Sequence, residues 1–186
     1  DRRQRQMCIR DRYDEVLKLP WDLACLQEVR LTAAGQVDMR NRLADDGCNV
    51  VFGAPQEAQA NLWHCKQGGV AIVARNGITL QRVLPINDME RHLVDTCRYV
   101  HAAIALGSGR QVLHVVCIYG YSGANSSAER RSLNEAMLSN VFCVLAALGK
   151  VPVLLMGDFN VPPECSAAIQ HARWLDAAKA LSLIHI

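Results

Sequence analysis

The stretch Val151-Pro-Val-Leu-Leu-Met-Gly-Asp-Phe-Asn-Val-Pro-Pro-Glu164 decides how the rest of the chain is read. Val153 to Met156 is a short apolar run bounded by Pro152 and Gly157, the pattern of a strand buried on both faces. Gly157, Asp158, Phe159 and Asn160 follow directly, then Pro162 and Pro163. A buried strand ending in Gly-Asp-x-Asn carries two short polar side chains to the lip of a sheet, where α/β folds put their chemistry. Asp158 and Asn160 alternate and can face one way, with Phe159 turned into the core. The same residues also suit a plain Asx turn, bonding only to their own backbone.

The 186 residues suffice for one domain with a real core. A hydrophobic content of 51% and a charged content of 20% are those of a globular protein. The formal charge of +2 is local, because residues 1–12 hold five arginines against two aspartates. Net charge therefore gives no argument for nucleic-acid binding, and an anionic substrate needs a local site. None of the eight cysteines forms a Cys-x-x-Cys pair, which argues against structural zinc. Cys25, Cys117 and Cys143 stand in apolar runs and read as small buried hydrophobes, a usage that suits a reducing, intracellular compartment. The longest apolar run, Val141 to Leu148, is too short to span a bilayer, so no membrane segment is expected.

Taken in order, residues 1–12 and 182–186 read as non-native or disordered ends, leaving one domain over 13–181. Tyr13 to Leu19 reads as a short helix, Trp21 to Glu28 as a buried strand, and Thr32 to Asp46 as a helix stopped by Gly47. Asn49 to Gly53 and Gly68 to Arg75 read as strands, the second opened by a glycine pair that lets backbones approach. Asn76-Gly77 reads as a hairpin turn, with Thr79 to Leu84 as the returning strand. Arg98 to Leu106 and Gln111 to Ile118 form a second hairpin pair. A capping box of Ser126 and Glu129 opens a helix whose inward face is Leu133, Met137, Val141, Leu145 and Leu148. Ser166 to Leu181 is a last amphipathic helix, while Ala54 to Gln67 and Ile86 to Thr96 read as surface loops that select substrate. Hairpins mixed with helix crossovers argue for an α/β (α+β) fold, two packed, mixed, largely antiparallel sheets flanked by helices.

Three strand ends thus carry polar residues: Gln27-Glu28, Tyr119 in its glycine loop, and Asp158 with Asn160. Cys25-Leu-Gln-Glu28, Gly68-Gly-Val-Ala-Ile-Val-Ala-Arg75, Val116-Cys-Ile-Tyr119 and Met156-Gly-Asp-Phe-Asn160 together resemble the endonuclease/exonuclease/phosphatase superfamily. That superfamily includes pancreatic deoxyribonuclease, abasic-site and retrotransposon endonucleases and inositol-polyphosphate 5-phosphatases. The resemblance implies a four-layer deoxyribonuclease-like sandwich and metal-dependent phosphoester hydrolysis, most simply by an endonuclease. It implies Glu28 as the carboxylate for Mg²⁺, with Mn²⁺ as a substitute, and Gln27 orienting the turn beside it. Asp158 resembles the general base, Asn160 its amide-donating partner, and Tyr119 a hydroxyl donor to the scissile phosphate. The physical logic agrees, since cleaving a phosphodiester needs its charge neutralised and a water activated. The plainer alternatives are Glu28 paired with Arg30 and Tyr119 packed at a strand end.

Departures from the family pattern shape the remaining expectations. Tyr121 stands where the family usually has a proline, so either tyrosine could be the donor. The opening strand ending in Asn and the closing Ser-Asp-His motif have no match, and Asp-His occurs nowhere in the chain. Asp176 is a doubtful match for a further acidic position. The expectation is a partial domain that is inactive and aggregation-prone by itself. The substrate stays open between nucleic acid and an inositol-phosphate or sphingolipid phosphoester, and a degenerate non-catalytic module is the third reading. His64, His92, His101, His114 and His171 occur singly without metal-ligand spacing and read as surface or strand residues. Arg98, Arg130 and Arg131 read as solvated charges that could meet phosphate.

Overall fold

The structure, a computed structural model, describes residues 20–56, 68–75, 77–107 and 111–174, with residues 173 and 174 described by their backbone alone. The expectations for residues 1–19, the centre of the Ala54 to Gln67 loop with His64, and the chain after Trp174 with Asp176 lie outside the described residues.

Strand β1 (Leu23–Gln27) leads through Thr32 into helix α1 (Ala33–Asp45). The Thr32 hydroxyl caps that helix by accepting from the Gly35 amide at 3.1 Å. Strands β2 (Asn49–Phe52) and β3 (Val70–Ala74) complete a three-stranded antiparallel sheet in the order β1-β3-β2. Strand β4 (Gln81–Arg82), helix α2 (Asp88–Asp95), and strands β5 (Tyr99–Leu106) and β6 (Gln111–Tyr119) follow. Helix α3 (Ala128–Ala147), strand β7 (Val153–Asp158), a 3₁₀ turn at Pro163–Cys165 and helix α4 (Ala167–Trp174) end the described chain. The second sheet runs β4-β5-β6-β7, antiparallel except for the parallel β6–β7 pair.

The layers follow from the strand period. On β3, Val70 and Ile72 face the second sheet, where they meet Val100, Ala102, Val115 and Cys117. Its alternate residues Ala71 and Val73 face the other way, packing with Leu43 of α1. On the far side, Tyr99, Val116 and Ile118 of the second sheet pack under Leu93 of α2 and Met137, Leu138 and Val141 of α3. The result is the expected four layers of helix, sheet, sheet and helices.

Four local expectations are corrected. The chain after Gly77 does not return along β3, whose two edges are already taken by β1 and β2. It crosses instead to the second sheet, where Gln81 and Arg82 pair with Ala103 and Ala102 of β5. The cap of α3 is Ser127, one residue later than Ser126, and Ser126 turns back to the Gly123 carbonyl. The face of α3 rotates with it, leaving Leu133 exposed and burying Asn134. Cys143 is exposed on the same helix, whereas Cys117 is buried between the sheets as read.

The fourth correction is the stretch Ile86 to Thr96, a helix and not a loop. Asn87 caps α2, and Glu90 is buried beneath it. The Glu90 carboxylate accepts from the Ile86 amide, the Tyr99 hydroxyl and His101 Nδ1, each at 2.8 Å. His101 Nε2 lies 2.9 Å from His114 Nδ1, so two histidines read as solitary form a chain ending on a carboxylate. Burial pushes the Glu90 carboxyl up, but the bonds from His101, Ile86 and Tyr99 outweigh it and hold the group below the ordinary range. Burial, then the neighbouring His101, lowers the pKa of His114. Burial, then Glu90, raises that of Tyr99 far beyond its usual value.

Candidate active site

Strands β6 and β7 run parallel, with Tyr119 in register with Asp158 and Cys117 with Met156. Cys117, Tyr119 and Met156 belong to the core between the sheets. Asp158 stands at the strand end beside Tyr119, after Gly157, whose φ of 138° interrupts the alternation.

Glu28 reaches this place by breaking the alternation. On β1, Leu23 and Cys25 point between the sheets, and Leu26 points toward α1. Continued extension would send Glu28 after Leu26, away from Tyr119. Its φ of 57° turns the backbone left-handed, and the carboxylate swings to the Tyr119 hydroxyl, which donates to Oε1 at 2.6 Å. Arg30, also left-handed with φ 42°, pairs with Oε2 at 3.3 Å. The turn is held from below, where the Val29 amide donates to the Gly69 carbonyl at 3.1 Å. A Cβ at Gly69 would lie 2.6 Å from the Arg30 amide nitrogen, so the glycine pair does permit the close approach read from it. Glu28 thus keeps the plain ion pair with Arg30 and adds a bond across the sandwich. Gln27 points inward, its amide 3.6 Å from Cys117 Sγ.

Tyr119 and Tyr121 divide their roles. The Tyr119 hydroxyl lies between Glu28 and Ser122 Oγ, 2.8 Å away. Tyr121 packs on the helix side instead. Burial, then the bond to Glu28, raises the phenol pKa of Tyr119, so it holds its proton at neutral pH. Arg98 is no solvated charge. It is 2% exposed, with its guanidinium 4.9 Å from the Tyr119 ring centre and 4.4 Å from that of Tyr121. Its Nη1 donates to the carbonyls of Tyr119 and Gly120, at 3.2 and 2.9 Å. Arg130, half-buried, and Arg131, exposed, donate to the carbonyls of Ser122, Ala124 and Asn125 and so brace the loop after β6.

Asp158 makes the Asx bond of the plainer reading, its Oδ1 accepting from the Asn160 amide at 3.0 Å. The left-handed φ of 51° at Asn160 places its side chain on the neighbouring loop, where Nδ2 donates to the Gly120 carbonyl at 3.0 Å. Among the described residues, three of the four non-glycine positions with positive φ, namely Glu28, Arg30 and Asn160, belong to this one region. Backbone strain of this kind concentrates at functional sites. Sequence reasoning missed Ser122, Arg30 as a working partner, and Asn134. The only signal for Asn134 was a polar residue beside an apolar helical face.

A divalent ion of the magnesium type takes one or two carboxylates and keeps several waters. Glu28, with about half its side chain exposed at the lip, fits such a minimal site. Among the described residues no cluster of three or more His, Cys, Asp or Glu could form a denser one. No described helix is long and apolar enough to cross a membrane.

The model of the endonuclease/exonuclease/phosphatase family matches residues 10–176. The chain belongs to this family. Among solved structures of the fold it is similar to the human Nocturnin catalytic domain with bound sulfate, at 19% identity and a TM-score of 0.54 over 86% of this chain and 58% of that one. It is also similar to the 3′ phosphatase NExo from Neisseria bound to a product DNA hairpin, at 20% identity and a TM-score of 0.57 over 91% and 64%. An AP endonuclease from Archaeoglobus fulgidus aligns at 19% identity and a TM-score of 0.52 over 81% and 57%. The chain therefore spans less than two thirds of each of these family folds. Comparison with curated protein sequences finds no match.

Proposed function

We propose that this family member hydrolyses phosphodiesters of nucleic acid with a divalent metal ion, in the manner of an endonuclease. The observation that carries the reading is the 2.6 Å bond from Tyr119 to Glu28, which joins two strand ends 91 residues apart beside Asp158. Glu28 is the residue to hold Mg²⁺ or Mn²⁺. The bound ion supplies charge neutralisation at the phosphate and a more acidic water. Asp158, with one oxygen bonded to the Asn160 amide, keeps its other oxygen to take a proton from the attacking water. With Glu28 turned to an ion, the Tyr119 hydroxyl would be released to donate to a phosphate oxygen, beside the second amide hydrogen of Asn160. A half-exposed carboxylate on an open lip favours a polymer over a small enclosed substrate.

Asp-His is missing from the sequence, so metal binding is the first readout and turnover the second. Calorimetry with Mn²⁺ on the full chain should show binding that Glu28→Gln weakens at least tenfold without loss of cooperative unfolding. Any cleavage of a duplex oligonucleotide that the chain shows in Mg²⁺ should fall about 10²- to 10⁴-fold in Asp158→Asn, as removal of a general base does. Equal Mn²⁺ affinity in the wild type and Glu28→Gln would overturn the metal assignment. Faster hydrolysis of an inositol polyphosphate than of DNA would overturn the choice of substrate.

A further inference from the structure

Asn134 sits seven residues into α3 and is 1% exposed. An amide there is costly on two counts. Asn is a poor residue for a helix interior, and a buried amide is unfavourable unless its hydrogen bonds are made. Both groups of this amide are used, and both partners lie outside the helix. Its Oδ1 accepts from the Tyr121 backbone amide at 2.8 Å, and its Nδ2 donates to the Phe159 carbonyl at 3.0 Å. Tyr121 is two residues past Tyr119, and Phe159 stands between Asp158 and Asn160.

These bonds extend the β6–β7 ladder beyond its last register pair, Tyr119 with Asp158. The Gly120 amide donates to the Asp158 carbonyl at 2.6 Å, and the Gly120 carbonyl accepts from Asn160 Nδ2. Beyond that pair Asn134 bridges the two segments, its amide supplying the acceptor for the Tyr121 amide and the donor for the Phe159 carbonyl. Gly120 shows how tightly the three segments are drawn together. A Cβ at that position would strike the Phe159 carbonyl and lie 2.8 Å from Asn134 Oδ1. A leucine at 134 would leave the Tyr121 amide and the Phe159 carbonyl without these partners.

We infer that Asn134 is a positioning residue of this site: it ties the loop of Tyr119 to the turn of Asp158 and Asn160 and sets the spacing between phenol and carboxylate. The inference rests on the reading that these residues form one site, but its test needs neither metal nor turnover. The full chain is followed by amide hydrogen exchange read by NMR. In the wild type the Gly120 amide, held on the Asp158 carbonyl, and the Asn160 amide, held on Asp158 Oδ1, should exchange slowly. In Asn134→Leu both should exchange at least tenfold faster, while the β6 amides from Val115 to Ile118 keep their wild-type rates and unfolding stays cooperative. Asn134→Asp serves as the second variant, because it keeps an acceptor for Tyr121 and loses the donor to Phe159. It should fall between the other two and remain measurable if Asn134→Leu fails to fold. Unchanged exchange at Gly120 and Asn160 in all folded variants, or acceleration spread evenly along β6, would overturn the positioning role. Local acceleration in a chain that binds no Mn²⁺ would retain it while removing the phosphodiesterase reading.

Discussion

Replacing Glu90 by Gln tests the polar network under α2. The carboxylate accepts three bonds of 2.8 Å, from Ile86, Tyr99 and His101, at a position 1% exposed. Glutamine keeps one oxygen, enough for Tyr99 and His101, but turns its amide hydrogens toward the Ile86 amide. One buried donor left without an acceptor costs about 1–3 kcal/mol, and each remaining bond loses charge assistance worth about 1 kcal/mol. The total, about 3–5 kcal/mol, agrees with the usual cost of removing one member of a buried ion pair. For a chain of this size that corresponds to a Tm lower by roughly 6–20 °C. The assay is thermal and urea unfolding followed by circular dichroism at pH 7.5. The pH dependence is a second constraint. The folded-state pKa of Glu90 lies below its unfolded value of about 4.3, so its stabilisation is full above that pH and is lost as the pH falls through the folded value. The gap between wild type and Glu90→Gln should therefore stay constant from pH 8 to about pH 5 and close below that. A variant within about 1 kcal/mol of wild type at pH 7.5, or a gap that does not close in acid, would refute the network as described.

Three further outcomes follow from the same geometry. His114 has a folded pKa below its unfolded value of about 6.5, so wild-type stability should begin to fall as the pH drops through that value, and His114→Phe should remove this first decline in a pH series of urea melts. The Tyr119 phenol, raised by burial and by Glu28, should titrate above the usual tyrosine value of about 10, and Glu28→Gln should bring it down, as read by tyrosine Cζ NMR. Gly157 holds a φ of 138° where a Cβ would strike the Ile118 carbonyl, so Gly157→Ala should destabilise the fold by at least about 1–3 kcal/mol in urea unfolding.

Much of this molecule was legible in residue order. The glycine-opened run at Val70 read as a buried strand because both of its faces are covered, whereas the run Val153–Met156 is the strand expected but only half-buried, at the end of the described sheet. Glu28, Tyr119, Asp158 and Asn160 were singled out as candidates because each stands at or just past a strand end, a feature of spacing along the chain. Partner choice was not legible. The Asn76-Gly77 signal is local, and the strand after it was decided by whether β3 still had a free edge. Asn134 and Glu90 drew no reading, Arg98 was read as solvated, and His101 and His114 were read as solitary, because a polar residue is buried when distant groups satisfy it, and those groups are up to 25 residues away in sequence. The carboxylate of Glu28 illustrates the division. Sequence placed it at a strand end, and periodicity alone would have pointed it at α1. The left-handed turn held by the Val29–Gly69 bond sends it across the sandwich to Tyr119, a direction that exists only once β1, β3 and β6 are packed together.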